Sequence, residues 1–313
     1  MREDGASRLS PGHDDCECAS VMSLLIDIII AGVVLGGMYA LVAMGLTLQY
    51  GVARIMNLSH GESLIAAAFG AVWAFGTLAL SPLIGLIIAI PLGFAINWLI
   101  YQVVLMPLVR RAKNRGMLEV DSILATFGLL FVVQGVMLVT FGGQFNTMNY
   151  LSIPVNILGS NVALNRLIAL AFALIIGSAL YLALMHTRYG TAIRAVAVDP
   201  VAAQLVAIDV RRTSAFAFAL GGALAAAGGV LIAMFTTFTA TMGVVFTMKA
   251  LIVIIMGGVG NIAGALAAGL MLGLAETAVA RLVDPGLTIA VTYALFLAVL
   301  LWRPTGLFGR AAR

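Results

Sequence analysis

Apolar residues fall in long blocks along this chain, and polar residues gather in the short stretches between them. Most blocks approach the roughly 20 residues that a helix needs to cross a bilayer. The strand-sized alternation of apolar and polar positions that is typical of a membrane barrel is absent. The blocks run approximately over 21–49, 62–80, 82–108, 122–141, 162–185, 213–236, 244–256, 262–280 and 287–302. This pattern predicts an all-α polytopic bundle with about eight or nine membrane segments.

The composition strengthens this prediction. Hydrophobic residues make up 62% of the 313 residues and charged residues 10%, whereas a soluble domain has about half and about a quarter. The 34 glycines fit membrane helices that pack closely through small residues spaced four apart, as in Gly221, Ala225 and Gly229. The net charge of +4 gives no indication of a nucleic-acid partner.

Residues 1–20 differ from the rest of the chain. They are polar and lack the charged-then-apolar order of a signal peptide, so we predict a disordered tail before a single membrane domain over 21–309. Cys16 and Cys18 are the two cysteines of the sequence, and both lie in this tail, so no disulfide framework supports the fold. Although His13 is nearby, we predict no metal site.

The basic residues predict the orientation in the membrane, because Lys and Arg are enriched in cytoplasmic loops. The arginine-rich stretches at 110–115, at 188–212 and at the C-terminus should be cytoplasmic. The uncharged stretches 142–161 and 237–243 should face outward, and the N-terminal tail should lie outside as well. It remains open at this point whether the short block 244–256 crosses the membrane or dips in and returns.

The stretch ARIMNLSHGES at 53–63 concentrates polar residues between two apolar blocks. Ser59 and Glu62 match a capping box, in which two side chains satisfy free N–H groups at a helix start. Asn57 and His60 lie three apart, would share one helix face and are candidates for a polar path through the membrane. A helix that starts inside the membrane also directs its N–H groups at an anionic group beyond it. The two interpretations combine in a discontinuous helix that is capped and still faces a substrate.

The glycine run GGVGN predicts a second helix break, formed by Gly257, Gly258, Gly260 and Asn261. The lysine and hydroxyl residue that follow the last glycine of a phosphate-binding loop are missing, so we predict no nucleotide site here. Paired interruptions point to the substrate path of a transporter. For this second break we favour close packing over direct contact with substrate.

Isolated charges occur within or at the ends of the apolar blocks, among them Asp27, Lys249 and Glu276. Lys249 lies near the start of a block, so we expect its amine to extend to the outer surface. Asp27 is expected at the membrane interface. No Ser/His/Asp order, zinc spacing or paired-carboxylate site occurs, and this argues against a membrane hydrolase.

The arginine-rich loop at 188–212 contains a second candidate for function. Asp199 followed by Pro200 is the pattern of a helix start. Val201, Leu205 and Ile208 would then lie on one face of a helix about nine residues long. A short amphipathic helix outside the bilayer is marginal unless it packs against something. Such a helix either docks on a partner or lies on its own bundle.

Four stretches together resemble the permeases of branched-chain amino acid ABC importers. They are NLSHGE, YGTAIRAVAVDPVAAQLVAIDV, KALIVIIMGGVGNIAGALAAGLMLG and RPTGLFG, in that order between about residues 25 and 309. The resemblance implies a multi-pass subunit of the bacterial inner membrane that pairs with a second, related permease. Two cytoplasmic ATPases, which bind the ATP and Mg that this chain does not bind, and a periplasmic substrate-binding protein complete such an importer. The cargo would be a branched-chain amino acid or a related small amino acid or amide.

The resemblance also implies roles for individual residues. Asn57, His60, Gly61 and Glu62 match the family signature near the translocation path. A coupling helix that fits a groove of an ATPase would run from Asp199 to Val210, and its residues would be Asp199, Pro200, Ala203, Leu205, Ile208 and Asp209.

Two departures from the family pattern occur. Leu58 and Ser59 replace the common Phe-Ala, which bears on substrate preference. Ala207 replaces a glycine, and we expect the coupling helix to stay intact. The alternative function is a stand-alone channel or an ion-coupled carrier. A carrier would show a membrane-embedded acid or cation site and no docking helix.

Overall fold

The computed structural model describes residues 12–309 except 113, 149 and 158–159, with side chains from 22 onward except those of 115 and 157. The helices are α1 (Gly12–Ala53), α2 (His60–Leu78), α3 (Pro82–Ile100), α4 (Met106–Arg111), α5 (Arg115–Phe141), α6 (Leu164–His186), α7 (Arg188–Val198), α8 (Pro200–Leu205), α9 (Val210–Ala233), α10 (Gly243–Gly257), α11 (Ile262–Leu282) and α12 (Thr288–Trp302). A π-helical turn, Tyr101–Leu105, joins α3 to α4 without a break, and a 3-10 turn, Pro285–Leu287, precedes α12.

Eight segments of the described chain are long and apolar enough to cross a membrane, and α10 is a shorter apolar helix. The predicted all-α polytopic bundle is therefore confirmed. One element was not predicted: strands β1 (Pro154–Ile157) and β2 (Ser160–Ala163) form an antiparallel hairpin in the uncharged stretch before α6.

The N-terminal part differs from the prediction. Helix α1 begins at Gly12, so the part of the expected disordered tail that the structure describes is helical. Residues 1–11 and the side chains of Cys16 and Cys18 lie outside the described residues.

Helix α9 is the centre of the bundle. It is buried along almost its whole length, and α1, α2 and α3 pack around it. Its glycines allow this approach, because a Cβ on Gly229 would collide with the carbonyl of Leu64 on α2, and one on Gly221 with the carbonyl of Gly45 on α1. The predicted small-residue stripe is thus buried between helices, as close backbone packing in a membrane requires.

The two ends of the bundle differ in charge. At one end, Arg54 donates to the carbonyl of Ala197 on α7, Val109 of α4 packs near the end of α1, and Leu307 N donates to Met256 O at the end of α10. This arginine end therefore collects the three basic stretches. At the opposite end, where Arg166 and the Asp27–Arg281 ion pair lie, the amide of Asn146 donates to the carbonyl of Phe238 at 2.9 Å. The division agrees with the predicted orientation, and the cytoplasmic side of the arginine end stays a prediction.

The short block before the glycine run crosses the bundle. Helix α9 rises from the arginine end, and the turn at 234–242 reaches the opposite end at Phe238. Helix α10 then starts in the interior and ends at Gly257 against the C-terminal segment. The turn and α10 together lead from the end at Phe238 to the arginine end. This block therefore crosses the bundle once and does not dip in and return.

Candidate functional site

The chain breaks between α1 and α2 and re-enters the bundle. After Ala53 the backbone of Arg54 takes a left-handed conformation with φ 56°, and the chain runs back beside α1. Asn57 Nδ2 donates to Gln49 Oε1 at 3.0 Å, and His60 Nε2 donates to the carbonyl of Val42 at 3.1 Å. The chain therefore retraces about 16 Å along α1 before α2 starts. The predicted discontinuous helix begins inside the protein.

The predicted capping box does not form. Ser59 is the residue before α2, but its side chain caps no helix N–H group. Its hydroxyl and its amide both donate to Asn57 Oδ1, at 2.7 Å and 3.0 Å. Asn57 thus shapes the turn that leads into α2, the part that we had expected Ser59 and Glu62 to play. The Asn57 side chain is buried, and both its nitrogen and its oxygen are hydrogen-bonded.

Glu62 is free of the cap and points at α10. Both of its carboxyl oxygens are buried and have no hydrogen-bond partner among the residues that the structure describes. They lie against Gly243, where an added Cβ would collide with the carboxyl group. His60 Nδ1 is also buried without a partner. Because an unpaired buried polar group costs about 1–3 kcal/mol, this cluster is a candidate for a role that only a bound molecule completes.

The N-terminal turns of α2 and α10 meet at this point. The amide of Gly61 donates to Thr247 Oγ1 at 2.8 Å, and the same hydroxyl contacts the carbonyl of Leu58 at 3.2 Å. A Cβ on Gly61 would fall on the carbonyl of Gly243, so the two helices touch backbone to backbone. Because the start of a helix carries a partial positive charge, the two helix starts together favour an anionic group at this point. We call the Asn57–Glu62 segment with Gly243 and Thr247 the central break.

Lys249 does not extend to the outer surface as predicted. Its Nζ donates to Glu276 Oε2 at 2.9 Å and to the hydroxyl of Tyr39 at 2.7 Å. Tyr39 in turn donates to Glu276 at 2.8 Å, and Thr292 donates to the second carboxyl oxygen at 2.5 Å. This buried ion pair joins α1, α10, α11 and α12. Two opposite isolated charges in neighbouring apolar blocks were the signal that sequence reasoning missed.

The glycine run lies far from the central break. Helix α10 separates Gly243 from Gly257 by about 21 Å. Gly258 and Gly260 have φ of 99° and 80°, and Asn261 accepts from the amide of Gly264 to cap α11. A Cβ on Gly258 would collide with the C-terminal segment. The run is a close-packed turn at the arginine end, and the turn at 234–242 is the interruption that adjoins the central break.

The predicted coupling helix is shorter than expected. Asp199 Oδ1 accepts from the amides of Val201 and Ala202, and α8 begins at Pro200 as predicted. It ends at Leu205, because Ala207 turns the chain with a left-handed φ of 61°. This conformation favours glycine, so the departure at this position is not neutral as we had expected.

The same turn changes which side chains α8 presents. Ile208 packs against the core and not on the outer face, and Ala203 is buried beneath the helix. Asp209 Oδ1 accepts from the amides of Arg211 and Arg212 to cap α9. The apolar side chains that stay exposed are Val198, Val201, Leu205 and Val206, and Leu205 is 84% exposed.

The family described as "Branched-chain amino acid transport system / permease component" matches residues 28–300. This chain belongs to that family. The high-affinity branched-chain amino acid transport system permease protein LivH of Escherichia coli is 30% identical over 295 residues, 89% of this chain and 94% of LivH. The permease protein BraD of Pseudomonas aeruginosa, from a system of the same description, is 27% identical over 294 residues, 90% of this chain and 95% of BraD. No solved structure matches significantly.

The resemblance inferred from the sequence is confirmed, and the chain is a multi-pass transport subunit. In this permease the four signature residues of the second helix start lie together in the interior. The residues assigned to the coupling helix do not lie near this site. They are at the arginine end of the bundle and are divided between α8 and the start of α9. The glycine run shares the arginine end but not the central break.

Proposed function

We propose that this permease carries a branched-chain amino acid past the central break. The supporting observation is the buried carboxyl group of Glu62, which has no partner and lies beside two helix starts. An amino acid has one ammonium and one carboxylate group. Glu62 supplies a countercharge for the ammonium, and free helix N–H groups suit the carboxylate. The names of LivH and BraD supply the class of cargo.

The central break is closed, since His60 and Glu62 are both fully buried. Cargo therefore reaches Glu62 only when α2 and α10 separate. Gly61 and Gly243 face each other across this contact. The two helices can therefore separate here without disrupting the packing of a large apolar side chain. The central break acts as the gate of the path, and Asn57 keeps the turn before α2 in shape.

Two cytoplasmic ATPases drive this movement in the proposal. They bind ATP and Mg, and this chain binds no cofactor. A second, related permease completes the path, and a periplasmic binding protein delivers cargo at the bacterial inner membrane. Helix α8 supports this part of the proposal, because its exposed Val201 and Leu205 form an apolar surface outside the spans that suits an ATPase groove.

Reconstitution tests the proposal. We expect vesicles that contain the permease, its partner permease and the ATPases to take up radiolabelled leucine only with ATP and binding protein. Uptake that proceeds at the same rate without ATP would contradict the importer.

Helix α8 gives a sharper test. Replacing Val201 and Leu205 with Asp should leave ATP hydrolysis in place and lower uptake about tenfold or more, because the apolar contact with the ATPase is lost. The control is Val283→Asp, which changes an exposed valine at the end opposite the arginine end and should leave uptake unchanged. Normal coupled uptake in the double variant would rule out α8 as the coupling element.

One observation favours the alternative of an ion-coupled carrier: the embedded pair of Lys249 and Glu276. Its charged groups are already paired with each other and with Tyr39 and Thr292, which leaves little capacity for a transported ion. Uptake driven by a proton or sodium gradient in vesicles without ATPases would establish the carrier and overturn the importer.

A further inference from the structure

Two cavities between α6 and its neighbouring helices form one continuous groove. The first has a volume of about 600 Å³ and lies between α1, α6 and α11. The second, of about 510 Å³, lies at the arginine end between α1, α7 and the turn before α11. Both are lined by Tyr181, Ile262 and Ala263, so they meet. We call the combined cavity the α6 groove.

The first cavity, which we call the upper part of the groove, has the length and lining of a site for a hydrocarbon chain. Along α6 it extends from Leu170 to Leu182, which is about 18 Å of helix. One half of a bilayer's hydrocarbon core is about 15 Å thick. Gly37 and Gly177 leave room for this cavity because they have no side chains. A Cβ on either would lie 3.1 Å from a neighbouring side chain. The groove is therefore apolar over a length close to the thickness of one leaflet.

The lower part of the groove is basic. Arg54 and Arg194 line it, and none of the described residues that line it is acidic. Arg54 contacts the carbonyl of Ala197 at 3.4 Å, and Arg194 contacts the carbonyl of Met185 at 3.4 Å. Neither guanidinium takes part in an ion pair within the part of the chain that the structure describes. Two cationic groups thus lie at the membrane surface with unused capacity for an anion.

We propose that the α6 groove binds one anionic phospholipid of the cytoplasmic leaflet. Its acyl chain lies between α1, α6 and α11, and its phosphate lies between Arg54 and Arg194. Charge complementarity selects this occupant, because basic pockets between membrane helices on the cytoplasmic side bind anionic head groups. The lipid would link the end of α1, where the chain turns toward the central break, to α7, the helix before α8.

Lipid binding to the purified full-length chain tests this site. We expect native mass spectrometry to detect one retained phosphatidylglycerol, and added phosphatidylglycerol to raise the Tm. Phosphatidylcholine, which has the same chains and no net charge, should do neither. Soluble glycerol 3-phosphate should not raise the Tm either, because it lacks the chain that fills the apolar part. Equal effects of all three compounds would overturn the proposal.

Variants locate the bound lipid. Arg54→Gln with Arg194→Gln should weaken phosphatidylglycerol binding about 25-fold, at about fivefold for each arginine. Arg188→Gln removes an exposed charge of α7 that does not line the groove and should leave binding unchanged. Ser178→Trp places a bulky side chain in the apolar part and should abolish retention of the lipid. Unchanged binding in the double arginine variant or in Ser178→Trp would overturn the site.

The groove also has a protein alternative. A cysteine at Ser178 that crosslinks efficiently to a second copy or to a partner permease in native membranes would show that protein covers the groove, and this would contradict the proposal. None of these measurements requires transport, so their outcome is independent of the proposed function.

Discussion

Helix α10 has two buried polar regions about 9 Å apart, and they differ in how their groups are paired. Around Lys249, the amine and both oxygens of Glu276 have hydrogen-bond partners. Around Gly243, the carboxyl group of Glu62 has none. Both are surrounded by apolar helices, where an uncompensated charge is costly. The cluster around Lys249 therefore holds helices together, whereas the cluster around Gly243 contains a carboxyl group that lacks a hydrogen-bond partner.

The paired cluster anchors α10 on one side. Tyr39, Glu276 and Thr292 belong to α1, α11 and α12, so the ion pair ties α10 to three helices. The contact of α10 with α2, on its other side, includes two glycines, one threonine hydroxyl and the unpaired carboxyl group of Glu62. Movement at the central break is therefore easier at the contact with α2 than at the ion pair. This asymmetry leads to four predictions.

Removing one partner of the ion pair should have the largest effect. Glu276→Ala leaves the Lys249 ammonium buried without its countercharge and should destabilise the permease by about 3–5 kcal/mol. Replacing both, with Lys249→Met and Glu276→Leu, should recover most of this loss. Thermal unfolding of the purified variants measures both. If Glu276→Ala unfolds like the wild type, the cluster does not fasten the helices.

Glu62→Gln should have the opposite effect on stability. It replaces a buried carboxyl group that has no partner by a neutral amide of the same size, so stability should stay the same or rise. Uptake should fall about tenfold to 100-fold, because a hydrogen bond to a charged group is worth about 1.5–3 kcal/mol. Unfolding and leucine uptake are measured on the same preparation. A less stable protein with normal uptake would make Glu62 a structural residue and remove the contrast with Glu276.

A matched pair of substitutions on α2 tests the backbone contact. Gly61→Ala adds a Cβ that meets the carbonyl of Gly243, whereas Gly70→Ala adds one in open space. Overpacking at Gly61 should cost about 1–3 kcal/mol. Gly70→Ala should be neutral or stabilise the helix by up to about 1 kcal/mol. Equal unfolding temperatures for the two variants would mean that α2 and α10 are not in close contact.

The smallest effect is expected for the ion pair that joins α1 to α11. Asp27 and Arg281 are 2.9 Å apart, but their side chains are 21% and 47% exposed. An accessible pair of this kind contributes about 0–1 kcal/mol, so Asp27→Asn should barely change the unfolding temperature. A loss as large as that of Glu276→Ala would show that burial does not explain the difference between the two pairs.

Much of the fold follows from local patterns. The apolar blocks predicted the spans because a bilayer demands about 20 apolar residues in a row. Asp199 and Asn261 cap the helices that follow them, since a cap needs only the next three residues. The clustering of basic stretches at one end also agrees with the charge pattern along the chain.

The candidate site depended on contacts that local patterns do not contain. Ser59 and Glu62 have the spacing of a capping box, yet Glu62 lies against Gly243, which is 181 residues away along the chain. Lys249 pairs with Glu276 because α10 and α11, which flank the glycine run, pack against each other. The left-handed backbone of Ala207, which the residue type does not reveal, decides where α8 ends.

The sequence by itself determined that this protein is a helical membrane permease, where its spans lie and where several of its helices start. Those properties depend on neighbours within one or two helical turns, and such neighbours are written consecutively in the chain. Only the tertiary structure decided which buried charges are paired, where α2 begins in the bundle and which face of α8 stays exposed. Electrostatic pairing and burial depend on distances in space, and each polar side chain had several possible partners until the helices packed.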